Sequence, residues 1–501
     1  MQDWYLFTEE IDVRRDGQRG GSMKKNGKKL LALMLAGVML TACGNKAEVA
    51  ETKDTTAASG EESQAASDAA EKETAADTQQ TDLEGAEVTF WYMPLYEGFD
   101  EKMSRDLAQE VKDKYGIILN TEVLTWDAGP EKVTVAMATG ATPDLYLDTY
   151  SRIAPAIGGG LAADLSATAE ELSPLLYDGV LDTGKLNGIQ GYIPINLSQG
   201  YNITVNVSLA KELGVYDLLP EDKIHWSYEE FLEFCRAARE KGKEQNIYAT
   251  QLFAGSKSSD SVYYSFLMSG GSGILNGEHT EMAVDEAKAA VTLDLFRTLI
   301  EEDLVPAGAA TTVDNDIRPN WYSQKLACMF VSTGTGEAVN VKKQIDSGDI
   351  QPFDVDIYEI PTPDGKADPH VMSWGSTGFT VFKNNGDETK IEAARKVIQT
   401  FLENEVYSQE VCVQTGNSTV LKDLDVDYGD EVLNEQAKRA AASTAAYADS
   451  SIGVLEPWWS DFRETFYVQL QSYFTGDKDA EDMIRDWKTS GDEVIAKTLQ
   501  Q

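Results

Sequence analysis

The sequence predicts an α/β protein built as two lobes. Residues 85–501 carry dense aromatics and regular apolar spacing, and a stretch of that length exceeds one simple core. Its first part alternates strand, helix, strand, helix, strand, the rhythm of a parallel sheet. From residue 388 onward helical patterns dominate.

The elements follow in order. Glu87-Val88-Thr89-Phe90-Trp91-Tyr92 reads as a strand that ends at Pro94. A helix is expected over 99–114, with Gly116 as its cap. Residues 117–124 read as a strand, 130–139 as a helix and 144–147 as a short buried strand. Parallel sheets bind ligands outside the carboxyl ends of their strands. Here those ends are the loops Trp91–Glu97, Trp126–Asp127 and Asp148–Arg152. Further on, Tyr192–Asn196 leads into a strand run over Tyr201–Asn206. Ser227 and Glu230 form a capping box for a helix, and another helix is expected over 284–302. Residues 326–332 read as a buried strand ending in Gly334-Thr335-Gly336. A Pro-rich step at 360–363 precedes Ser373-Trp374-Gly375 and a strand over 379–382. No internal repeat is visible.

Ahead of this lies a different kind of sequence. From Met23 the chain reads MKKNGKKLLALMLAGVMLTACGN: four lysines, then an apolar run over 30–40, then Leu40-Thr41-Ala42-Cys43 and Gly44. Eleven apolar residues are too few to span a bilayer, so this is an export signal over 23–42. It resembles a bacterial lipoprotein lipobox, which implies a Cys43 diacylated on its thiol as the first mature residue. Residues 1–22 are of mixed charge, do not belong to such a signal, and read as an extension ahead of the start at Met23. Residues 43–84 are rich in Ala, Ser, Thr, Asp and Glu and too poor in large apolar side chains to offset chain entropy. They read as a disordered acidic tether, with an end-to-end distance of about 35 Å as a flexible coil.

The formal charge of −41 excludes a nucleic-acid partner, which needs a basic face, and direct adsorption to anionic lipid. With Cys43 lipidated, Cys235, Cys328 and Cys412 remain, and they read as buried thiols rather than a disulfide framework. His225, His279 and His370 are far apart, with no metal-ligand spacing, and no metal or other cofactor is expected. Nucleophile elbows and phosphate loops are absent too, so no catalytic residues are assigned and the chain is expected not to be an enzyme.

A series of segments resembles family 1 extracellular solute-binding proteins, the ligand-capturing subunits of bacterial ABC importers. They are ATGATPDLYL (138–147), GIQGYIPINLSQGYNITVNVSLAKELGV (188–215), HWSYEEF (225–231), FLMSGGSG (266–273), KLACMFVSTG (325–334), YEIPTPDG (358–365) and FLENEVYSQEVCVQTGNSTVLK (401–422). Gln324 stands where the family has Gly, and Val420 where it has Pro. The resemblance rests on order and spacing and covers about 85–501. It implies the two-lobe, hinge-joined periplasmic-binding-protein-like fold (type II), with ligand in the interlobe cleft. Crossings are implied near Asn196, after Pro361 and near Thr415. Lobe 1 would then hold 85–195 and 364–415, and lobe 2 would hold 198–360 and 420–501. The implied partners are a small-molecule ligand and the permease subunits, for a monomeric receptor lipid-anchored on the outer face of a Gram-positive-type cell membrane.

A sugar site needs flat aromatics for stacking and polar groups for the hydroxyl rim. Candidate aromatics are Trp91, Tyr92, Trp126, Tyr150, Tyr263, Tyr264, Trp374, Trp458 and Trp459. Candidate polar partners are Glu97, Asp127, Asp148, Ser151, Arg152, Ser198, Asp260 and Glu337. Pro457-Trp458-Trp459 resembles the aromatic segment that lines the groove in maltose-binding members of the family, with Arg463 in step. One of those two Trp is assigned to the pocket and the other to packing. Trp374 is placed in the first lobe. Trp91 reads equally as core or pocket, and Arg152 as pocket or surface ion pair. Trp226 reads as helix-start packing, and Trp321-Tyr322 as core. Two other readings remain. One is a receptor for a polyamine, phosphodiester or metal complex, with Asp127 and Asp148 between aromatic faces for the polyamine. The other is a surface glycan-active enzyme.

Overall fold

The computed structural model describes residues 83–126, 128–186, 188–372, 377–449, 456 and 458–499. The leader, Cys43 and the tether up to residue 82 lie outside the described residues, as do Asp127 and Trp374. Leu83 is already buried in the first core, so packed chain begins within the last two residues assigned to the tether.

Strand β1 (Glu87–Tyr92) pairs in parallel with β2 (Ile118–Val123) on one side and β3 (Leu145–Thr149) on the other. Its alternation is that of a strand covered on both faces. Val88, Phe90 and Tyr92 enter one core, while Trp91 packs against a smaller cluster with Met93 and Tyr146. The expected first helix runs from Phe99 to Tyr115 with a π-helical stretch over Lys102–Leu107. Gly116 ends it in the left-handed conformation (φ 73°), donating its N–H to the Lys112 carbonyl. The Gly129–Thr139 helix leads back to β3, and α1 (Tyr150–Gly158) starts where β3 stops.

The chain then passes through the short strand Asn196–Leu197 into a second core. At its centre β4 (Ile203–Asn206) lies antiparallel between Cys328–Met329 and the strand Val355–Tyr358. Around it pack a helix over Tyr228–Gly242, held by the expected Ser227–Glu230 capping box, and α2 (Ser259–Ser269), buried along its whole length. The strand expected over 326–332 is only two residues long. Gly334-Thr335-Gly336 does not end it but opens α3 (Gly334–Ser347), where the Thr333 hydroxyl accepts the Gly336 N–H. The Val355–Tyr358 strand is β5 below.

Residues 362–372 stay with the second core, although the resemblance placed 364 onward in the first lobe. Thr362 N–H donates to the Trp226 carbonyl, the Ser269 hydroxyl holds both N–H and C=O of His370, and Val371–Met372 pairs with Ala448–Asp449. The first core resumes at β6 (Thr377–Val381), which inserts antiparallel between β3 and Ile193–Pro194. Its sheet order is therefore β2, β1, β3, β6 and Ile193–Pro194. Helix α4 (Glu405–Thr415) ends at Gly416, and Ser418–Thr419 pairs with Asn196–Leu197 between the two cores. Helices α5 (Glu431–Tyr447), α6 (Trp459–Thr475) and Ala480–Leu499 follow, the last two packed into the second core. Cys235, Cys328 and Cys412 are free and buried. Among the described residues, no helix is long and apolar enough to cross a membrane and no cluster could hold a metal ion.

Candidate functional site

The carboxyl ends of β1, β2 and β3 bring one connected group together. Trp126, in the loop after β2, donates its indole N–H to the Pro94 carbonyl beyond β1 (3.0 Å). The Arg152 guanidinium, in the first turn of α1, lies 5.0 Å from the Trp126 ring centroid. Arg152 Nη1 in turn lies 3.6 Å from Asp148 Oδ1 at the end of β3. Asp148 is fully buried and accepts from the Tyr146 hydroxyl (2.5 Å) and the Thr149 N–H (2.6 Å). Burial pushes its carboxyl above the usual range, and the Arg152 charge opposes that shift. Asp148 is thus an internal anchor that orients Arg152, and Arg152 backs Trp126. At 42% exposure, Trp126 is the only exposed tryptophan among the described residues.

Two electrostatic interactions reach from this edge to the second lobe. Glu97 is exposed in the loop after β1 and acts on Lys343 of α3, whose ammonium donates to the Gln414 carbonyl of α4 (2.8 Å). Burial holds the Lys343 ammonium below its ordinary pKa, and the Glu97 charge opposes that. Tyr150, only 2% exposed, stands edge-on to Tyr192 with centroids 5.0 Å apart. Burial and the Glu456 carboxylate push its phenol up to about 12. Glu456 also lies 3.0 Å from His279 Nδ1. Sequence reasoning missed Lys343, His279 and Glu456. Their partners are 71 to 177 positions away, and no local pattern marks them.

Several candidates belong elsewhere. Tyr263 is core: it is fully buried among Phe253, Phe296 and Phe474, and its hydroxyl accepts the Phe253 N–H (3.1 Å). Trp458 and Trp459 are each 2% exposed and pack on Phe462, so both are packing residues here rather than one of them. Trp91 is half-buried under the Lys132 ammonium (4.1 Å), and Tyr92 is fully buried with its hydroxyl on Asp100. Tyr264 stacks on Trp487 inside the second core (5.5 Å). Ser198 is half-buried beside the Asn196–Leu197 strand, its hydroxyl 3.3 Å from the Gln199 carbonyl. Asp260 is fully buried and takes two hydrogen bonds from Arg463 (2.5 and 2.8 Å). Glu337 is fully buried in the first turn of α3 and accepts from Ser332 (3.0 Å). Trp226 and Trp321 are buried, as expected for packing residues.

A two-lobe α/β molecule with a polar-aromatic edge between its lobes has the form of a binding protein. Residues 99–407 match the family model described as bacterial extracellular solute-binding protein. The chain belongs to that family, whose members work outside the cell or in the periplasm with ABC transporters. Among solved structures, the cyclic α-maltosyl-1,6-maltose binding protein of Arthrobacter globiformis is 14% identical (TM-score 0.66, 82% of this chain, 99% of that one). The GacH receptor of Streptomyces glaucescens, solved unliganded and with acarbose, is 13% identical (TM-score 0.64, 82% and 99%). Maltose-bound MalE3 of Thermotoga maritima is 17% identical (TM-score 0.63, 83% and 100%). At these identities the likeness is one of fold. No curated protein sequence matches the chain.

Proposed function

We propose that the chain captures a sugar or short oligosaccharide between its lobes and delivers it to the permease of an ABC importer. It would do so as a non-catalytic receptor held at the outer membrane face by lipid on Cys43. The observation that carries the ligand class is Trp126, a flat ring kept at the sheet edge by Pro94 on its indole N–H and by Arg152 over the ring. An aromatic fixed in this way suits the C–H face of a pyranose, while Arg152 and Glu97 supply rim hydrogen bonds. Similarity to proteins solved with acarbose and maltose supports the same class. Lobe closure on the ligand would couple capture to docking.

The test is calorimetry on residues 83–501 against a panel of mono- and oligosaccharides, with polyamines, glycerophosphodiesters and metal chelates alongside. Saturable binding of a sugar that is recovered intact supports the proposal. Binding confined to a non-sugar solute, or cleavage of the sugar, replaces it with one of the other two readings.

A further inference from the structure

A second cavity lies away from the cleft edge. It holds about 210 Å³ between α5 and the end of β5, floored by Ile357 and Ala440 and rimmed by Ile224 and Tyr447. Glu359 lines it and is 4% exposed. Its two carboxylate oxygens are held by neutral donors, the Asn202 amide (2.8 Å) and the Ser443 hydroxyl (2.5 Å). Among the described residues no cation lies within ion-pair distance of it. Lys223 and Arg439 also line the cavity, but both ammonium and guanidinium are engaged by Asp356. A buried carboxylate without a counter-ion is costly to maintain.

We propose that this cavity is a binding site for a small organic monocation with a short apolar body, its ammonium paired with Glu359 and its carbons against Ile357 and Ala440. Burial, followed by the Asp368, Glu359 and Asp222 carboxylates, pushes the Tyr447 phenol up, so acidic groups reach the rim, where Lys223 and Arg439 also line the cavity. Tyr447 also brings an aromatic ring to the rim, and rings of this kind attract ammonium groups. Burial likewise raises the Glu359 carboxyl, with the Ser443 and Asn202 hydrogen bonds and the Arg439 charge opposing it. Position gives the site a consequence: Asn202, the partner of Glu359, lies between the Asn196–Leu197 crossing and β4. An occupant therefore acts beside one crossing between the lobes.

The probe is n-butylammonium, titrated by calorimetry into the globular chain, with n-butyrate as the counter-test. Saturable butylammonium binding is expected. Glu359→Gln keeps both hydrogen-bond partners but removes the charge, and it should weaken binding about 10- to 100-fold. Ala440→Leu sends its added carbons into the existing void, so it should fold and also abolish binding. The inference is overturned by unsaturable butylammonium binding, by unchanged affinity in Glu359→Gln, by unchanged affinity in Ala440→Leu, or by saturable butyrate in place of the amine. Should Glu359→Gln fail to fold, Ala440→Leu decides alone.

Discussion

Gly416 and Gly336 approach so closely that a Cβ on Gly416 would sit 2.4 Å from the Gly336 Cα. Gly416 also holds φ at +72°, which favours glycine. The contact joins the end of α4 to the first turn of α3, where the two lobes meet beside the Asn196–Leu197 and Ser418–Thr419 pair. Because the obstructing atoms are backbone, Gly416→Ala has no inexpensive relaxation. It should lower stability by about 1–3 kcal/mol in urea unfolding. An unchanged midpoint would mean that the lobes part readily at this point.

Trp126 and Trp458 should respond in opposite ways to truncation. Trp126→Ala removes a 42%-exposed ring, so it should leave the melting temperature near wild type. It should weaken binding of the identified sugar by about 2 kcal/mol, roughly 30-fold. Trp458→Ala empties a site 2% exposed and should cost about 3–5 kcal/mol of stability. Parallel melting and calorimetry distinguish the two, and a Trp126→Ala protein that binds like wild type removes that residue from the site.

Arg463 neutralises Asp260, which has no exposure of its own. Arg463→Ala leaves a buried carboxylate unpaired and should destabilise by about 3–5 kcal/mol. Combining it with Asp260→Asn should recover part of that loss. Thermal unfolding of the single and double variants reads this out, and a double variant no better than the single one would refute the pairing argument.

Glu337 gives a pH signature. Burial raises its carboxyl above the ordinary value of 4.5, with Arg318 opposing. A folded-state pKa above the unfolded one means the folded chain binds the proton more tightly. Its contribution therefore favours folding below 4.5 and is lost as pH rises from there toward the raised value. Glu337→Gln lacks that loss. Its melting temperature relative to wild type should climb between about pH 4 and about pH 7, and a pH-independent difference would contradict the assignment.

Anchoring is tested by Cys43→Ala, which should release the protein into the medium or leave it as precursor. Membrane fractionation reports the outcome, and firm retention of processed Cys43→Ala protein would dismiss the lipoprotein reading. Removing residues 44–81 should alter reach alone, leaving melting and ligand affinity unchanged.

The first sheet was readable because β1 and β3 carry buried apolar runs and are separated by capped helices, with Gly116 as the clearest stop. The loop aromatics were less so. A tryptophan's neighbours in sequence do not reveal whether its ring meets solvent or another helix. Trp126 stays out because its indole N–H bonds to the Pro94 carbonyl 32 positions away, whereas Trp458 and Trp459 turn onto Phe462 within their own helix turn. Glycines misled once: Gly334 and Gly336 read as a strand end, but the hydroxyl of Thr333 makes them a helix start. The return to the first lobe was placed too early because a proline step marks a break in regular structure without saying which core takes up the chain afterwards.

Strand β6 occupies an interior position in the first sheet, yet it begins 228 positions after β3, its partner, ends, with most of the second core between them. A nascent chain that has emerged only through residue 360 therefore holds a sheet with an open flank where β6 belongs. Loop closure across such a span is slow and leaves strand edges bare meanwhile. If the signal read over 23–42 exports the chain unfolded, the whole problem is deferred to the far side of the membrane, where all the strands become available together. No C-terminal truncation short of β6 can yield a finished lobe.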